Sequence, residues 1–89
     1  MVVHRCTIHQ EDGTLVAADV QLYLEEIERD GVGEWYGTIS VTESMSLLAG
    51  HRYRCVLDAG RTGEFLVRRT TSAGGSDRAA AFRGTGVLR

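Results

Sequence analysis

Residues 51–71 decide the fold class, and they read HRYRCVLD, then AGRTG, then EFLVRRTT. The first piece alternates polar and apolar residues with a period of two, which is typical of a half-buried β-strand. The last piece is rich in aromatic and β-branched residues, and the five residues between the two pieces include two glycines. This arrangement predicts an antiparallel hairpin of two strands.

Similar patterns continue on both sides of this hairpin. Val3–His9 alternates and is followed by the turn residues Glu11-Asp12-Gly13, and Glu34–Thr42 alternates again with Trp35 and Ile39 on one face. Arg78–Leu88 predicts a last strand, in which Gly84 and Gly86 indicate a bend or a close crossing of strands. Residues 43–50 predict a loop or one helical turn, held to the core by Leu47 and Leu48.

Leu15–Glu28 allows two interpretations. A strand would place five apolar residues on one face (Val16, Ala18, Val20, Leu22 and Leu24). A helix over residues 19–29 would be capped by Asp19 and would end at Gly31. The strand is favoured, because Asp30-Gly31-Val32-Gly33 then links it to the next alternating run.

These segments predict one all-β domain over residues 1–89, a small antiparallel barrel of about six strands. A compact sandwich is one alternative, and an α+β fold follows if residues 19–29 are helical. The chain has no run near the roughly 18 apolar residues of a transmembrane helix, and its first residues lack the apolar core of a secretion signal. We therefore expect a cytoplasmic protein with no membrane partner.

The charges separate along the chain. All ten basic residues are arginine, and no lysine, asparagine or proline occurs. Residues 1–45 hold nine acids and two arginines, whereas residues 46–89 hold three acids and eight arginines. One interpretation is that the two halves neutralise each other within the domain. The other is an arginine-rich face that binds an anionic partner.

Four arginines are candidate ligand-binding residues on such a face. In the alternation of the hairpin, Arg52 and Arg54 point outward while Tyr53 and Cys55 point inward. Arg83 points outward from the last strand, and Arg69 or its neighbour Arg68 does so from the fifth strand, so the candidates are Arg52, Arg54, Arg69 and Arg83. A guanidinium group suits phosphate and base contacts. The outward aromatic residues that could stack bases, Tyr23 and Tyr36, both belong to the acidic half.

Other chemistry has weaker support in the sequence. His4, Cys6, His51 and Cys55 could supply a tetrahedral zinc site if the first and fourth strands were neighbours, but their spacing matches no compact zinc finger. We therefore predict no metal, no cofactor and no disulfide between the two cysteines. No nucleophile motif or paired carboxylates stand out, so no catalytic residue is assigned.

The pattern Leu47-x-x-Gly50, Tyr53–Leu57, Gly60 and Phe82 loosely resembles the latter half of PilZ-type barrels, a family that binds a cyclic dinucleotide. The family's Arg-x-x-x-Arg segment is absent at the expected position. Its Asp/Asn-x-Ser-x-x-Gly turn is also absent, because Thr42-Glu43-Ser44 is not followed by the glycine. The resemblance implies a barrel and does not assign the family.

The functional expectation is a non-enzymatic binding module that engages a protein partner or associates with itself, since an acidic and an arginine-rich surface favour complementary docking. The alternative is a barrel that binds an anionic ligand, a nucleotide or a nucleic acid on its arginine-rich face.

Overall fold

A closed antiparallel barrel of six strands is the architecture in the computed structural model, which describes residues 2–41, 47–72 and 78–89. The strands are β1 (Val2–Gln10), β2 (Leu15–Arg29), β3 (Val32–Val41), β4 (Arg52–Leu57), β5 (Thr62–Ser72) and β6 (Arg78–Gly84). Their order around the barrel is β1-β2-β3-β6-β5-β4, and β4 closes the barrel by pairing with β1. No helix that could cross a membrane occurs among the described residues.

The predicted all-β barrel is therefore confirmed, and the sandwich and α+β alternatives are wrong. Residues 19–29 lie in β2, which is paired with β1 on one side and with β3 on the other. Val20, Leu22 and Leu24 point into the core, as the strand interpretation expects. Pairing on both edges and burial of every second residue favour the strand over any local helical preference.

A bulge in β2 changes the face of the residues before Val20. Cys6 is opposite Val20 and Ile8 is opposite Ala17, so two residues of β2, Ala18 and Asp19, face one residue of β1. Asp19 has a φ of 57°. The expectation that Ala18 lies on the core face is wrong: the bulge leaves it exposed.

The hairpin turns are tighter than the sequence indicates. Asp30 and Gly31 have φ values of 53° and 79° and join the paired residues Arg29 and Val32, which is the conformation of a two-residue type I′ turn. The link that the sequence predicts over residues 30–33 is therefore half as long. In the β4–β5 hairpin, Gly63 already pairs with Cys55, so the loop is residues 58–61 and not 59–63.

The core is apolar throughout the described residues and is organised around four aromatic rings. Trp35 lies 5.8 Å from Phe82, Phe82 lies 5.2 Å from Phe65, and Phe65 lies 5.8 Å from Tyr53, measured between ring centroids. The other buried side chains are Cys6, Ile8, Val20, Leu22, Leu24, Ile39, Val41, Leu47, Cys55, Leu57, Val67, Ala80 and Leu88.

The carboxyl-terminal residues cover one end of the barrel. β6 ends at Gly84, so the predicted strand to Leu88 is wrong in its last four residues. Leu88 is nevertheless buried, because Arg89 exchanges two backbone hydrogen bonds with Thr62, at 2.8 and 2.9 Å. A Cβ built on Gly84 would overlap the indole of Trp35, so a side chain and not the predicted crossing strand approaches this glycine. A Cβ on Gly86 would meet nothing within 4 Å.

Near the β3–β4 connection, only one of the two leucines behaves as expected. Leu47 is buried, but Leu48 is 54% exposed and does not hold this segment to the core. The backbone N–H of Leu48 instead donates to the hydroxyl of the buried Tyr53, at 2.9 Å. Residues 43–46 of the predicted loop lie outside the described residues. The sequence also predicts a turn over residues 71–77; Thr71 and Ser72 belong instead to β5, and residues 73–77 lie outside the described residues.

Candidate functional site

The barrel converts the charge separation of the sequence into two opposed walls. β1, β2 and β3 are contiguous, and residues 2–41 form an acidic wall with eight acids and two arginines. β6, β5 and β4 are also contiguous, and residues 47–72 and 78–89 form a basic wall with eight arginines and two acids. Counting only Asp, Glu and Arg, the net charges are −6 and +6.

The two walls do little to neutralise each other. Arg61 of the basic wall donates to both carboxylate oxygens of Glu26, at 2.6 and 3.1 Å. It is the one arginine–carboxylate pair that joins the walls within the described residues. The other three pairs lie within one wall: Arg5–Asp19 at 3.0 Å, Arg29–Glu34 at 4.0 Å and Arg54–Glu64 at 3.4 Å. In the part of the chain that the structure describes, pairing between arginines and carboxylates of the two walls, the first interpretation of the sequence, is thus limited to Arg61 and Glu26.

The cross-wall pair changes the ionisation of both partners. The hydrogen bond from Arg61 holds the pKa of the Glu26 carboxyl below its usual range, and the same bond raises the pKa of Arg61. Both side chains are partly exposed, so solvent screens the pair and its contribution to stability is small.

Two of the four candidate arginines lie in one row across the barrel. Arg52 of β4 is opposite Leu66 of β5, Leu66 is opposite Arg83 of β6, and Arg83 is opposite Tyr36 of β3. We call these four residues the seam row, because they cross from the basic wall to the acidic wall. Neither arginine of the row has an ion pair with a described residue. The next residue in this register is Glu25 of β2, so the sign of the charge changes at Tyr36.

The other two candidates lie outside this row. Arg54 is in the neighbouring row, opposite Glu64, with which it forms an ion pair. Arg69 is opposite Ala81 and follows a bulge at Arg68, since Val67 is opposite Phe82 and no residue of β6 faces Arg68. The bulge explains why Arg68 and Arg69 are both exposed, where the sequence predicts only one of them outward.

The seam row borders a surface depression of about 700 Å³. We call it the seam depression. Its lining includes Ile27, Tyr36, Arg52, Leu66, Arg68 and Arg83. The β2–β3 hairpin extends past the end of β6 and forms one side, and Trp35 and Phe82 of the core lie beneath it. One carboxylate lines the seam depression among the described residues, that of Glu34, and it is paired with Arg29.

The sequence did not identify Tyr36 or Leu66 as neighbours of the candidate arginines. Tyr36 is 47 positions before Arg83 and belongs to the acidic half, yet β3 pairs directly with β6. Leu66 gave a usable signal in the sequence: alternation places Phe65 and Val67 on one face of β5 and Leu66 on the other, so one of the two apolar faces needs a contact outside a simple two-sided sheet. Leu66 is half-buried and lines the seam depression.

The cysteines are buried free thiols on neighbouring strands. Burial raises the pKa of Cys6 to about 12 and that of Cys55 to about 11. His4 approaches Asp58 at 3.6 Å, whereas His51 is exposed before the start of β4. No three metal-ligating side chains of His, Cys, Asp or Glu come together in the described part of the chain, the four residues of the zinc hypothesis included.

Comparison of the chain with protein-family models, with curated proteins and with solved structures gave no match.

Proposed function

We propose that this chain is a non-catalytic binding module that docks a protein partner through its basic wall. The observation that carries the proposal is the separation of charge into walls of −6 and +6, whose described residues form one arginine–carboxylate pair between the walls. A small barrel that only had to fold would gain nothing from gathering like charges on one side, because like charges repel.

The basic wall has the chemistry of a docking surface for carboxylates. Arg52, Arg68, Arg69 and Arg83 are exposed and have no ion pair with a described residue. The planar fork of a guanidinium binds a carboxylate through two parallel hydrogen bonds. Complementary charge across an interface accelerates association and selects the partner.

A second copy of the chain offers a suitable acidic surface. The sign of the charge changes at the end of the seam row, where Arg83 and Tyr36 are followed in the register by Glu25 of β2. Two copies related by a twofold axis at this seam would each place basic residues against the acidic residues of the other. Such a self-complementary patch is what a symmetric dimer requires.

The experiment is light scattering over a range of protein and salt concentrations. We expect concentration-dependent association that weakens as salt screens the charges. The double variant Arg52→Glu/Arg83→Glu should abolish it. The comparison variant Arg54→Glu/Arg89→Glu changes the net charge of the basic wall equally, but away from the seam row, and should weaken association less.

A monomeric mass under all conditions would exclude self-association. The docking proposal then requires a different protein with an acidic surface as the partner. A poly-glutamate peptide is the probe for such a surface. If the unmodified chain binds this peptide no better than the Arg52→Glu/Arg83→Glu variant does, the basic wall is not a docking surface for carboxylates and the proposal is wrong.

A further inference from the structure

We propose that the seam depression binds a planar aromatic ring joined to phosphate, which is the chemistry of a nucleotide. This inference goes beyond protein docking, because it concerns a small site at one edge of the basic wall and requires no partner protein.

The first observation is the order of side chains along the seam row. Tyr36 lies one strand from Arg83 and three strands from Arg52, with Leu66 between the two arginines. Neighbouring strands are about 4.8 Å apart, so the two arginines lie about 10 Å apart at the backbone. Side chains of this length can converge on one phosphate group between them. If the base of a nucleotide stacks on Tyr36, the phosphate of that nucleotide lies beside Arg83 and within reach of Arg52.

The second observation is that these arginines are available for a ligand. Arg52, Arg68 and Arg83 all line the seam depression, and none has an ion pair with a described residue. Arg54 and Arg61 of the same wall are each paired with a glutamate. Arginines without a carboxylate partner that line one concave surface are the usual means of holding phosphate.

The third observation is an aromatic and apolar surface beside the arginines. Tyr36 is 42% exposed, although its neighbour Trp35 is buried in the core. Ile27 and Leu66 are half-buried in the same lining. A simple anion such as sulfate would use the arginines and leave these groups in water. A nucleobase would cover them, stacking on the tyrosine ring with an arginine at its edge.

The size of the seam depression agrees with this ligand class. Its volume of about 700 Å³ falls within the range of small-molecule sites in proteins, which is about 300–1,000 Å³. Both a free nucleotide and one base of a single strand have the required ring and phosphate. The experiment therefore has to distinguish these two sources.

The test is an NMR titration that follows backbone amides and arginine Nε–H groups. The probes are adenosine 5′-monophosphate, adenosine, inorganic phosphate and a short single-stranded oligoadenylate. We expect the monophosphate to shift signals of Tyr36, Leu66 and Arg83, and to bind about tenfold or more tighter than adenosine or phosphate, because the site uses both parts of the ligand. If the oligoadenylate binds each site as tightly as the monophosphate or more tightly, the ligand is a nucleotide within single-stranded nucleic acid. If the oligoadenylate does not bind, the ligand is a free nucleotide.

Matched variants separate the site from the rest of the surface. Tyr36→Ala and Arg83→Gln should each weaken binding about tenfold, the ring by loss of stacking and the arginine by loss of a phosphate contact. Tyr23→Ala removes the other outward tyrosine, and Arg54→Gln removes the paired arginine of the next row. Both controls should bind as the unmodified chain does, and the spectrum of each variant reports whether it is folded.

Three outcomes would overturn the inference. They are no shift in the seam depression with any probe, equal affinity for phosphate and for the monophosphate, and equal effects of Tyr36→Ala and Tyr23→Ala. Because association between copies is measured separately by light scattering, failure of the nucleotide site leaves the docking proposal standing, and the converse also holds.

Discussion

Trp35 illustrates how single residues determine one end of the barrel. Its indole N–H donates to the carbonyl of Gly86 at 2.8 Å, and its ring lies against Gly63 and Gly84. A Cβ on Gly63 would be 2.7 Å from the indole, and one on Gly84 would overlap it. Both glycines are therefore explained by the space that the tryptophan occupies and not by an unusual backbone angle.

We predict that Gly84→Ala destabilises the fold by about 1–3 kcal/mol, the usual cost of overpacking a well-filled core. Gly33→Ala is the matched control, because a Cβ at Gly33 meets no atom within 4 Å, and it should change stability little. Urea denaturation of the three proteins measures the difference. Equal losses in the two variants would mean that Trp35 does not set the requirement for glycine.

We predict that the protein loses stability at alkaline pH because its two cysteine thiols are buried. Burial raises the pKa of each thiol from its ordinary 9.0, to about 12 for Cys6 and about 11 for Cys55. Their contribution is complete below pH 9, where both states are protonated. Between pH 9 and about 11 the thiols ionise only in the unfolded chain, so stability should fall by about 1.4 kcal/mol per pH unit for each thiol.

The double variant Cys6→Ala/Cys55→Ala isolates this effect. Its unfolding free energy is lower at neutral pH because of the lost packing, but its slope above pH 9 should be shallower than that of the unmodified chain. Parallel slopes for the two proteins, measured by denaturant unfolding at several pH values, would show that the thiols are not the cause.

Elements of this fold depend on turns and bulges that adjust an otherwise regular alternation. The Asp30-Gly31 turn reverses the chain in two residues and brings β3 back along β2. The bulge at Asp19 changes which residues of β2 face the core, and the bulge at Arg68 leaves two consecutive arginines exposed. The exposure of both Arg68 and Arg69 thus depends on one extra residue in β5.

We expect Gly31→Ala to cost about 1 kcal/mol, because the φ of 79° is in the left-handed region that residues with a Cβ avoid. Asp30→Asn is the control: asparagine tolerates the same region, so stability should be nearly unchanged. Thermal unfolding of both variants checks the prediction, and a Gly31→Ala variant as stable as Asp30→Asn would contradict the type I′ assignment.

In the whole barrel, the arginines that we propose for binding are expected to lower the stability of the fold. Arg83 lies in the seam row with Arg52, and Arg68 lines the same depression, while none of the three has an ion pair with a described residue. Such a cluster adds repulsion to the folded state. Arg61, by contrast, links the two walls through Glu26.

We predict opposite effects for the two arginines. Arg83→Gln relieves repulsion and should leave stability unchanged or raise it slightly, whereas Arg61→Gln removes a bidentate pair and should lower stability by up to about 1 kcal/mol. Denaturant unfolding at low and high salt tests this, since salt should reduce both effects. A clear loss of stability in the Arg83→Gln variant would show that Arg83 stabilises the fold, which would contradict the expectation that it is available for binding.

Residue patterns along the chain were enough to predict the all-β class, the approximate number of strands and most of the core. Alternation along a strand is a local property, so it reports which residues of β1, β3 and β4 face inward without knowledge of any partner strand. Alternation also predicted that Arg52 and Arg83 are exposed. The separation into an acidic and a basic half follows from the order of charged residues along the chain.

Which of these residues lie next to each other depends on how the strands are arranged in the barrel. Strand order is a long-range property, and the pairing of β3 with β6 brought Tyr36 beside Arg83 across 47 positions of the chain. The two bulges also depend on the neighbouring strand, so the exposure of Ala18 and the placement of both Arg68 and Arg69 outside the barrel could not be read from alternation. The seam depression exists because residues that are distant in sequence share one register across the closed sheet.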